Sequence, residues 1–397
     1  MNRSLPSTWR YAKLGKCCTV VSGATPRRNV PEYWGNDIPW VTPKDLSNLE
    51  GPILKDAPEY ISKEGYRGCS TTILPKGSIL FSSRAPIGLV SIAGRDMCTN
   101  QGFKNLIPGR DVHSGYLYHC MKWLAPKIAD MGNGATFKEV SREIVSRVEI
   151  PLPSLPEQKR IAAILDKADA IRRKRQQAIK LADEFLRSVF LDMFGDPASN
   201  PKGWPLGSIR ELISEAKYGT SKKASDATGK YPVLRMNNIA YSGEMDFTDL
   251  KYIDLEKKEV NKYLVKKGDL LFNRTNSKEL VGKTAVFESN IPMAIAGYLI
   301  RVRTNERSTP QYISAYLNSS HGKATLIGMC KSIVGMANIN AQELQDINIL
   351  IPPVTLQKQY SKIVWKVRER KKRHFEAAAT GDILFKSLTQ RAFRGEL

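Results

Sequence analysis

Apolar residues recur in alternating steps of three and four along two long stretches of the chain, the period of a helix that buries one stripe. In the first, the stripe is Ile161, Ile164, Ala168, Ile171, Arg175, Ala178, Ala182, Phe185 and Val189. A shift of 199 positions gives Tyr360, Ile363, Val367, Arg370, His374, Ala377, Gly381, Leu384 and Leu388. Two long helices are predicted, their stripes forming a coiled-coil seam; the other reading packs each helix on its own neighbouring domain. Pairing is favoured by the matched register and by the short joint Ser199-Asn200-Pro201-Lys202-Gly203. It requires the helices to run antiparallel if the regions they connect are to be held apart. Arg175 and His374 fall at the seam midpoints, where they either fix register as buried polar residues or reach out to solvent.

Outside these stretches the period shortens. Ile38-Pro39-Trp40-Val41, Ser78-Ile79-Leu80-Phe81 and Leu89-Val90-Ser91-Ile92 predict short strands between Gly, Pro and Asn turns, while Tyr116 to Leu124 and its echo Tyr312 to Leu317 predict helices. Prolines 151, 153 and 156 stop a strand-like run, and Glu157 opens the first long helix. Phe194-Gly195-Asp196-Pro197 closes it with glycine then proline, and Pro352-Pro353 precedes the second.

The rest of the chain repeats with the helices. Pro6-Ser7-Thr8-Trp9 returns as Pro201-Lys202-Gly203-Trp204, and Lys76-Gly77-Ser78-Ile79-Leu80-Phe81 as Lys267-Gly268-Asp269-Leu270-Leu271-Phe272. The expected fold is α+β: two globular mixed α/β domains separated by two long helices forming an antiparallel coiled coil, a pseudo-two-fold repeat. The expected limits are 1–154 and 196–353 for the globular heads and 155–195 and 354–397 for the helices.

Charge narrows the partner. Sixty-one Lys and Arg against 39 Asp and Glu leave +22, which favours a polyanion, with nucleic acid ahead of a merely basic soluble protein. The opening Met1-Asn2-Arg3-Ser4-Leu5-Pro6 lacks a signal-peptide core and no run approaches a membrane span, so a cytoplasmic protein is expected. The six cysteines and four histidines lack ligand spacing; reduced, mostly buried thiols and no metal are expected.

Catalytic motifs are missing. Gly282-Lys283-Thr284 resembles the end of a nucleotide-binding loop, but Ser277 stands where its first glycine is needed. Gly132-Asn133-Gly134 reads as a turn, and neither a zinc-protease pair, a serine elbow nor an Asn-Pro-Pro-aromatic run occurs. A recognition protein is expected, not an enzyme.

Residue types suited to DNA recur in both halves. Thr25, Arg27 and Arg28 correspond at a shift of 195 to Thr220, Lys222 and Lys223. Thr42 and Lys44 correspond to Arg235, Asn237 and Asn238, and Arg84 lies near the position of Arg274 and Asn276. Gln101 and Lys104 complete the set. Hydroxyls and cations hold phosphates, arginine reads guanine, and amides suit adenine edges.

The ordered motifs Ser22-Gly23-Ala24-Thr25-Pro26, Tyr33-Trp34-Gly35, Ile38-Pro39-Trp40-Val41-Thr42, Lys44-Asp45-Leu46, Ser83-Arg84-Ala85-Pro86-Ile87-Gly88 and Thr99-Asn100-Gln101-Gly102-Phe103-Lys104 resemble a target recognition domain of the specificity (S) subunits of type I restriction-modification enzymes. The segments Ile150 to Ile161 and Ile349 to Ile363 are similar to that family's junctions into its helices, and the resemblance covers essentially the whole chain. In the second half Asn273-Arg274-Thr275-Asn276-Ser277 replaces the Ser-Arg-Ala-Pro-Ile-Gly run.

The resemblance implies a non-catalytic subunit that binds a bipartite, asymmetric site in double-stranded DNA. It further implies two modification (methyltransferase) subunits that use S-adenosylmethionine and restriction subunits that use ATP and Mg²⁺, the cofactors residing on those partners. A stand-alone architectural or regulatory DNA-binding protein and a modification-dependent nuclease are the competing readings.

Overall fold

A computed structural model describes residues 5–133, 138–330 and 337–397; Met1 to Ser4 of the polar opening and Gly134 of the expected turn lie outside the described residues. The chain divides into two compact units, Met1–Gln177 with Phe375–Leu397, and Ala178–His374. Each holds one mixed α/β head and one segment of each long helix.

In the first unit, Cys18–Ser22, Lys104–Pro108, Ile79–Phe81, Val90–Ala93 and Ile53–Leu54 form a five-stranded sheet in that order. Glu59–Ile61, Trp34–Val41 and Cys98–Thr99 form a three-stranded one. The helix Ser114–Asp130 packs Tyr116, Leu117, Cys120, Met121 and Leu124 into the main core, together with Ile161 and Leu165 from the first long helix and Phe393 from the second. The predicted strands and the Tyr116-to-Leu124 helix are present, the helix being longer at both ends.

The second unit repeats the plan. Ile213–Tyr218, Leu299–Thr304, Leu270–Asn273 and Thr284–Val286 form one four-stranded sheet, and Lys251–Ile253, Tyr231–Leu234, Met293–Ile295 and Leu264–Val265 another. The parallel pairing of Val41 with Thr99 in the first unit recurs as Leu234 with Ile295. Pro310–Asn318 and Ser320–Met329 replace the single helix, and Tyr312, Tyr316 and Leu317 share a core with Phe190, Phe194, Tyr360 and Val364 of the long helices.

The same device anchors each head to its helix. The Tyr116 hydroxyl donates to the Pro151 carbonyl at 2.6 Å, and that of Tyr312 to Leu350 at 2.7 Å. Buried Gln158 accepts from the His113 N–H and donates to the carbonyls of Asp111 and Pro153. Buried Gln357 likewise accepts from Ser308 and the Thr309 N–H and donates to those of Arg307 and Pro352. These are the sequence repeats seen from inside: the prolines deliver a chain whose open backbone groups a glutamine satisfies.

The first long helix is Leu155–Phe194, starting two residues before the expected Glu157 with Pro156 in its first turn, and the second is Val354–Arg394. Gly195 ends the first at φ +80°. Trp204 then donates from Nε1 to the Phe194 carbonyl at 2.9 Å, so the tryptophan-led opening of the second repeat closes the helix before it.

The buried stripe differs from the predicted seam. Ile161 and Tyr360 are buried, and Ile164, Ala168, Val189, Ile363, Val367 and Leu388 are half-buried. Ile171, Phe185 and Leu384 are exposed at 46%, 51% and 62%, and His374 is exposed. Leu165, Asp169, Phe190 and Phe194 point inward on the first helix, and Val364, Thr389, Ala392 and Phe393 on the second. Ala178, Ala182, Ala377 and Gly381 of the stripe are also half-buried, so it departs from the inner face at part of its positions, where neighbouring inward positions carry paired charges. Asp169 takes Arg172 and Arg173 at 3.0 Å each, and Arg172 also reaches Asp382 at 2.6 Å. Arg175 neither meets a seam partner side chain nor stays in solvent: it is half-buried and donates to the Ala377 carbonyl at 2.8 Å.

Three cysteines (Cys18, Cys98, Cys120) are buried, the other three half-buried, and all six are free. Among the described residues no helix is long and apolar enough to cross a membrane.

Candidate nucleic-acid interface

In the first unit the predicted residues converge on one loop cluster. The Ala24 N–H donates to the Thr99 carbonyl, the Asn100 N–H to Val41 and the Trp40 indole to Ala24, tying three loops together. Gly23 permits this approach: a Cβ there would stand 2.0 Å from the Asn100 carbonyl oxygen. The Thr25 hydroxyl then meets the Gln101 side chain, and Arg84 reaches the Gln101 carbonyl at 3.5 Å and Glu139 at 3.2 Å. Thr42 is half-buried, its N–H and hydroxyl donating to Asp45 at 2.7 and 2.9 Å to start the turn that exposes Lys44.

Lys104 and Arg28 change roles. Lys104 is 7% exposed and bonds Glu139 at 3.2 Å and Ser83 at 3.4 Å, a buried strut under the cluster. Arg28 pairs with Glu59 at 2.8 Å and lies over the Trp34 ring at 3.9 Å, so its charge is neutralised within the head. Arg27 is exposed, its side chain has no partner among the described residues, and its carbonyl takes the Trp34 indole N–H at 3.3 Å. Among the described residues, Arg27 and Lys44 are thus exposed cations of this cluster without a side-chain partner.

In the second unit the register of the first loop moves by one. The Thr220 N–H donates to the Ile295 carbonyl as that of Ala24 does to Thr99, and Gly219 makes the close approach of Gly23, so Thr220 matches Ala24 and not Thr25. Thr220 is 5% exposed, its hydroxyl accepting from the Lys222 N–H. Asn238, 1% exposed, is the counterpart of Asp45, accepting from the Arg235 N–H and donating to the carbonyls of Asp246 and Asp249. Thr220 and Asn238 therefore build the loops from within.

Nearer the surface, Arg235 and Asn237 share Asp249 at 2.8 Å each, and Lys222 pairs with Glu259 at 2.6 Å. Lys223 is exposed, with no partner among the described residues. Arg274 lies 4.9 Å from the Tyr218 ring centroid, and Asn276 accepts from the Ser277 N–H.

Sequence reasoning missed the residues that organise the clusters. Glu139 holds both Arg84 and Lys104, and the bridge between Arg84 and Glu139 recurs in the second unit between Thr275 and Asn338, whose side chains bond at 3.1 Å. A charged pair in one head is a neutral pair in the other. The exposed Tyr218 and Tyr298, at 41% and 52%, also flank the second cluster. Only the recurrence of a polar residue two places before each helix-capping Ser141 and Asn340, with an apolar residue between, signalled the Glu139 and Asn338 match.

The nucleotide-loop fragment is not a phosphate cradle. Thr284 is buried in a strand, its hydroxyl donating to the Gly282 carbonyl, and Lys283 donates to the Met236 carbonyl at 2.8 Å. Among the described residues no group of three or more His, Cys, Asp or Glu is placed to hold a metal ion.

Known proteins match the chain as a whole. The family model for the type I restriction modification DNA specificity domain matches residues 6–181 and 201–373. The specificity subunit of the type I restriction enzyme MjaIX from Methanocaldococcus jannaschii is 34% identical over 256 residues, spanning 59% of this chain and 59% of that subunit. The EcoKI specificity subunit of Escherichia coli is 24% identical across 99% of this chain and 90% of its own. The type I S subunit from M. genitalium shares the fold with a TM-score of 0.62 at 13% identity, over 99% of this chain and 97% of that one. With the specificity-domain signature present twice, once for each repeat of head and helix, the chain belongs to the type I restriction-modification DNA specificity domain family.

Proposed function

We propose that this chain is the non-catalytic specificity subunit of a type I restriction-modification system, its two heads each reading one half of a bipartite, asymmetric DNA site. One observation carries this reading: the anchoring bonds of Tyr116 and Gln158 recur at Tyr312 and Gln357, while the loop pair Arg84–Glu139 is Thr275–Asn338 in the other head. A repeated scaffold with unlike loops suits two unlike half-sites. Cations hold phosphates and the loop side chains reach base edges.

In this reading residues 1–154 and 196–353 are the recognition domains, and 155–195 and 354–397 pair as an antiparallel coiled coil that spaces them. The exposed Ile171, Ile383 and Leu384 in one unit, and Leu181, Phe185 and Trp365 in the other, offer apolar helix surface to two methyltransferase subunits, with restriction subunits joining that assembly. S-adenosylmethionine, ATP and Mg²⁺ act on those partners, in the cytoplasm. The test is to replace residues 1–154 with another such domain and map methylated adenines genome-wide. One half of the motif should change; a change in both halves refutes independent reading.

A further inference from the structure

The second unit contains a cavity of about 480 Å³ between its segment of the first long helix, the 241–244 loop and the start of the helix Ser320–Met329. It lies where the two repeats differ. In the first unit the helix Ser114–Asp130 runs unbroken, and Trp123 stacks on Phe393 with ring centroids 5.0 Å apart at 18°. At a shift of 196, Ser319 stands in place of Trp123; it breaks the helix and caps the second piece by accepting from the Gly322 N–H at 3.0 Å. Phe194, the counterpart of Phe393, keeps with Tyr312 the ring contact that Phe393 makes with Tyr116, and also packs on Tyr360. Ser319, where the repeat has an indole, lines the space together with the aromatic Phe190, Tyr241 and Tyr360, and the volume is within the size range of ligand pockets.

The charges around that space are unbalanced. Of the acids lining it, Asp183 and Glu244 are both engaged by Lys371 at 2.7 Å, and Asp196 accepts from the Ala198 N–H. Arg187 and Lys323 have no carboxylate partner among the described residues; Lys323 lies 3.2 Å from the Tyr241 ring centroid and donates to the Tyr241 carbonyl. Burial, with the nearby Arg187 charge, pushes the Lys323 amine down to about 8, the mark of a cation that lacks a counter-ion. Ser320 and His321 at the start of the helix Ser320–Met329 line the same cavity.

We propose that this cavity binds a nucleotide-sized anionic ligand, its phosphate between Arg187 and Lys323 and its planar ring against the wall backed by Phe190 and Tyr360. The cavity has room for a nucleotide, and the two cations without carboxylate partners supply the complement to a phosphate. An anion alone would leave the aromatic wall bare, and an uncharged ring would leave the cations unpaired.

The full chain is titrated calorimetrically with AMP, adenosine and inorganic phosphate. AMP should bind saturably at one site per chain, with adenosine and inorganic phosphate each at least tenfold weaker. R187Q and K323Q should each weaken AMP at least tenfold while leaving adenosine unchanged. A315W, placing an indole on the cavity wall, should abolish both, and an unaltered melting profile of R187Q keeps the comparison valid if A315W fails to fold. Three results overturn the proposal: no saturable AMP binding; phosphate binding as tightly as AMP, which leaves a bare anion site; or weaker DNA binding by R187Q and K323Q without AMP binding, which assigns the cations to the DNA surface.

Discussion

Arg172 donates from Nε to Asp382 at 2.6 Å, and at a shift of 199 on both sides the same pairing returns as Lys371 with Asp183 at 2.7 Å. In one unit the basic residue comes from the first long helix and the acid from the second; in the other the sources exchange. With Arg175 bonded to Ala377 beside the first pair and Phe190 packed on Tyr360 beside the second, the helix segments within each unit run in opposite directions.

The two pairs differ in burial, so their loss should differ. Arg172 and Asp382 are 25% and 42% exposed, and a double-mutant cycle of R172Q with D382N should give a coupling of about 0.5 to 1 kcal/mol. Lys371 is 12% exposed and serves both Asp183 and Glu244, so K371M should destabilise its unit by about 1 to 3 kcal/mol. Urea titrations of the variants check the order; a K371M midpoint no lower than that of R172Q would contradict it.

Removing the buried glutamines should cost more than removing any surface ion pair. Q158A strips the acceptor from the His113 N–H and the donors from Asp111 and Pro153 in a site with no solvent access, for about 2 to 4 kcal/mol. Q357A should behave alike in the second unit. Equal midpoint shifts in denaturation would mark them as one repeated device, and a neutral effect in either would show that water replaces the amide.

These glutamines illustrate what was legible. The duplication, the helices and their proline entries stand in the sequence because each is local and periodic. Part of the predicted stripe is exposed because Arg172 and Lys371 face inward with acids from the other long helix, and a charge reads as surface until its partner is known. The same limit applied to the candidate interface. Lys104 and Asn238 carry DNA-binding chemistry, yet Glu139, 35 residues from the first, and Asp249, 11 from the second, turn them into struts.

His113 should make the first unit acid-sensitive. Its Nδ1 caps the helix by accepting from the Tyr116 N–H at 3.4 Å, and burial, then the Lys159 charge, holds its pKa below the ordinary imidazole value, with Asp166 acting weakly the other way. A lowered folded-state pKa means that this stabilisation is complete above the ordinary value, about 6.5, and drains away as pH falls through it toward the folded-state pKa. In the second unit Thr309 caps at the equivalent place and cannot titrate. H113T should therefore flatten the loss of stability between pH 7 and pH 5, measured by denaturation at each pH; an unchanged slope would assign the loss to other groups.

Arg27 and Arg28 adjoin in sequence but should part in function. Arg28 is held by Glu59 and Trp34, whereas the Arg27 side chain has no partner among the described residues. If Arg27 touches a phosphate, R27A should reduce the slope of log K against log salt by about one unit, while R28A changes it little. Binding titrations at several salt concentrations distinguish the two, and equal slopes for both variants would place neither on the backbone.

The spacing role of the helices can be tested by lengthening them. From residue 172 to 183 the first helix advances eleven positions, and from 382 to 371 its partner retreats eleven, so an insertion after Gln177 is matched by one before Ala377. Four residues in each add ~6 Å and turn the helix by ~400°, a net ~40°. One base-pair step turns DNA by about 34 to 36°. The second head would then move outward by about one to two steps while staying nearly in phase with the groove. Mapping of methylated adenines should show both half-sites unchanged and the spacer between them longer by one or two base pairs. Full activity at the original spacer would mean that the helices do not set the distance, and the antiparallel spacer would have to be given up even though the ion pairs within each unit remained.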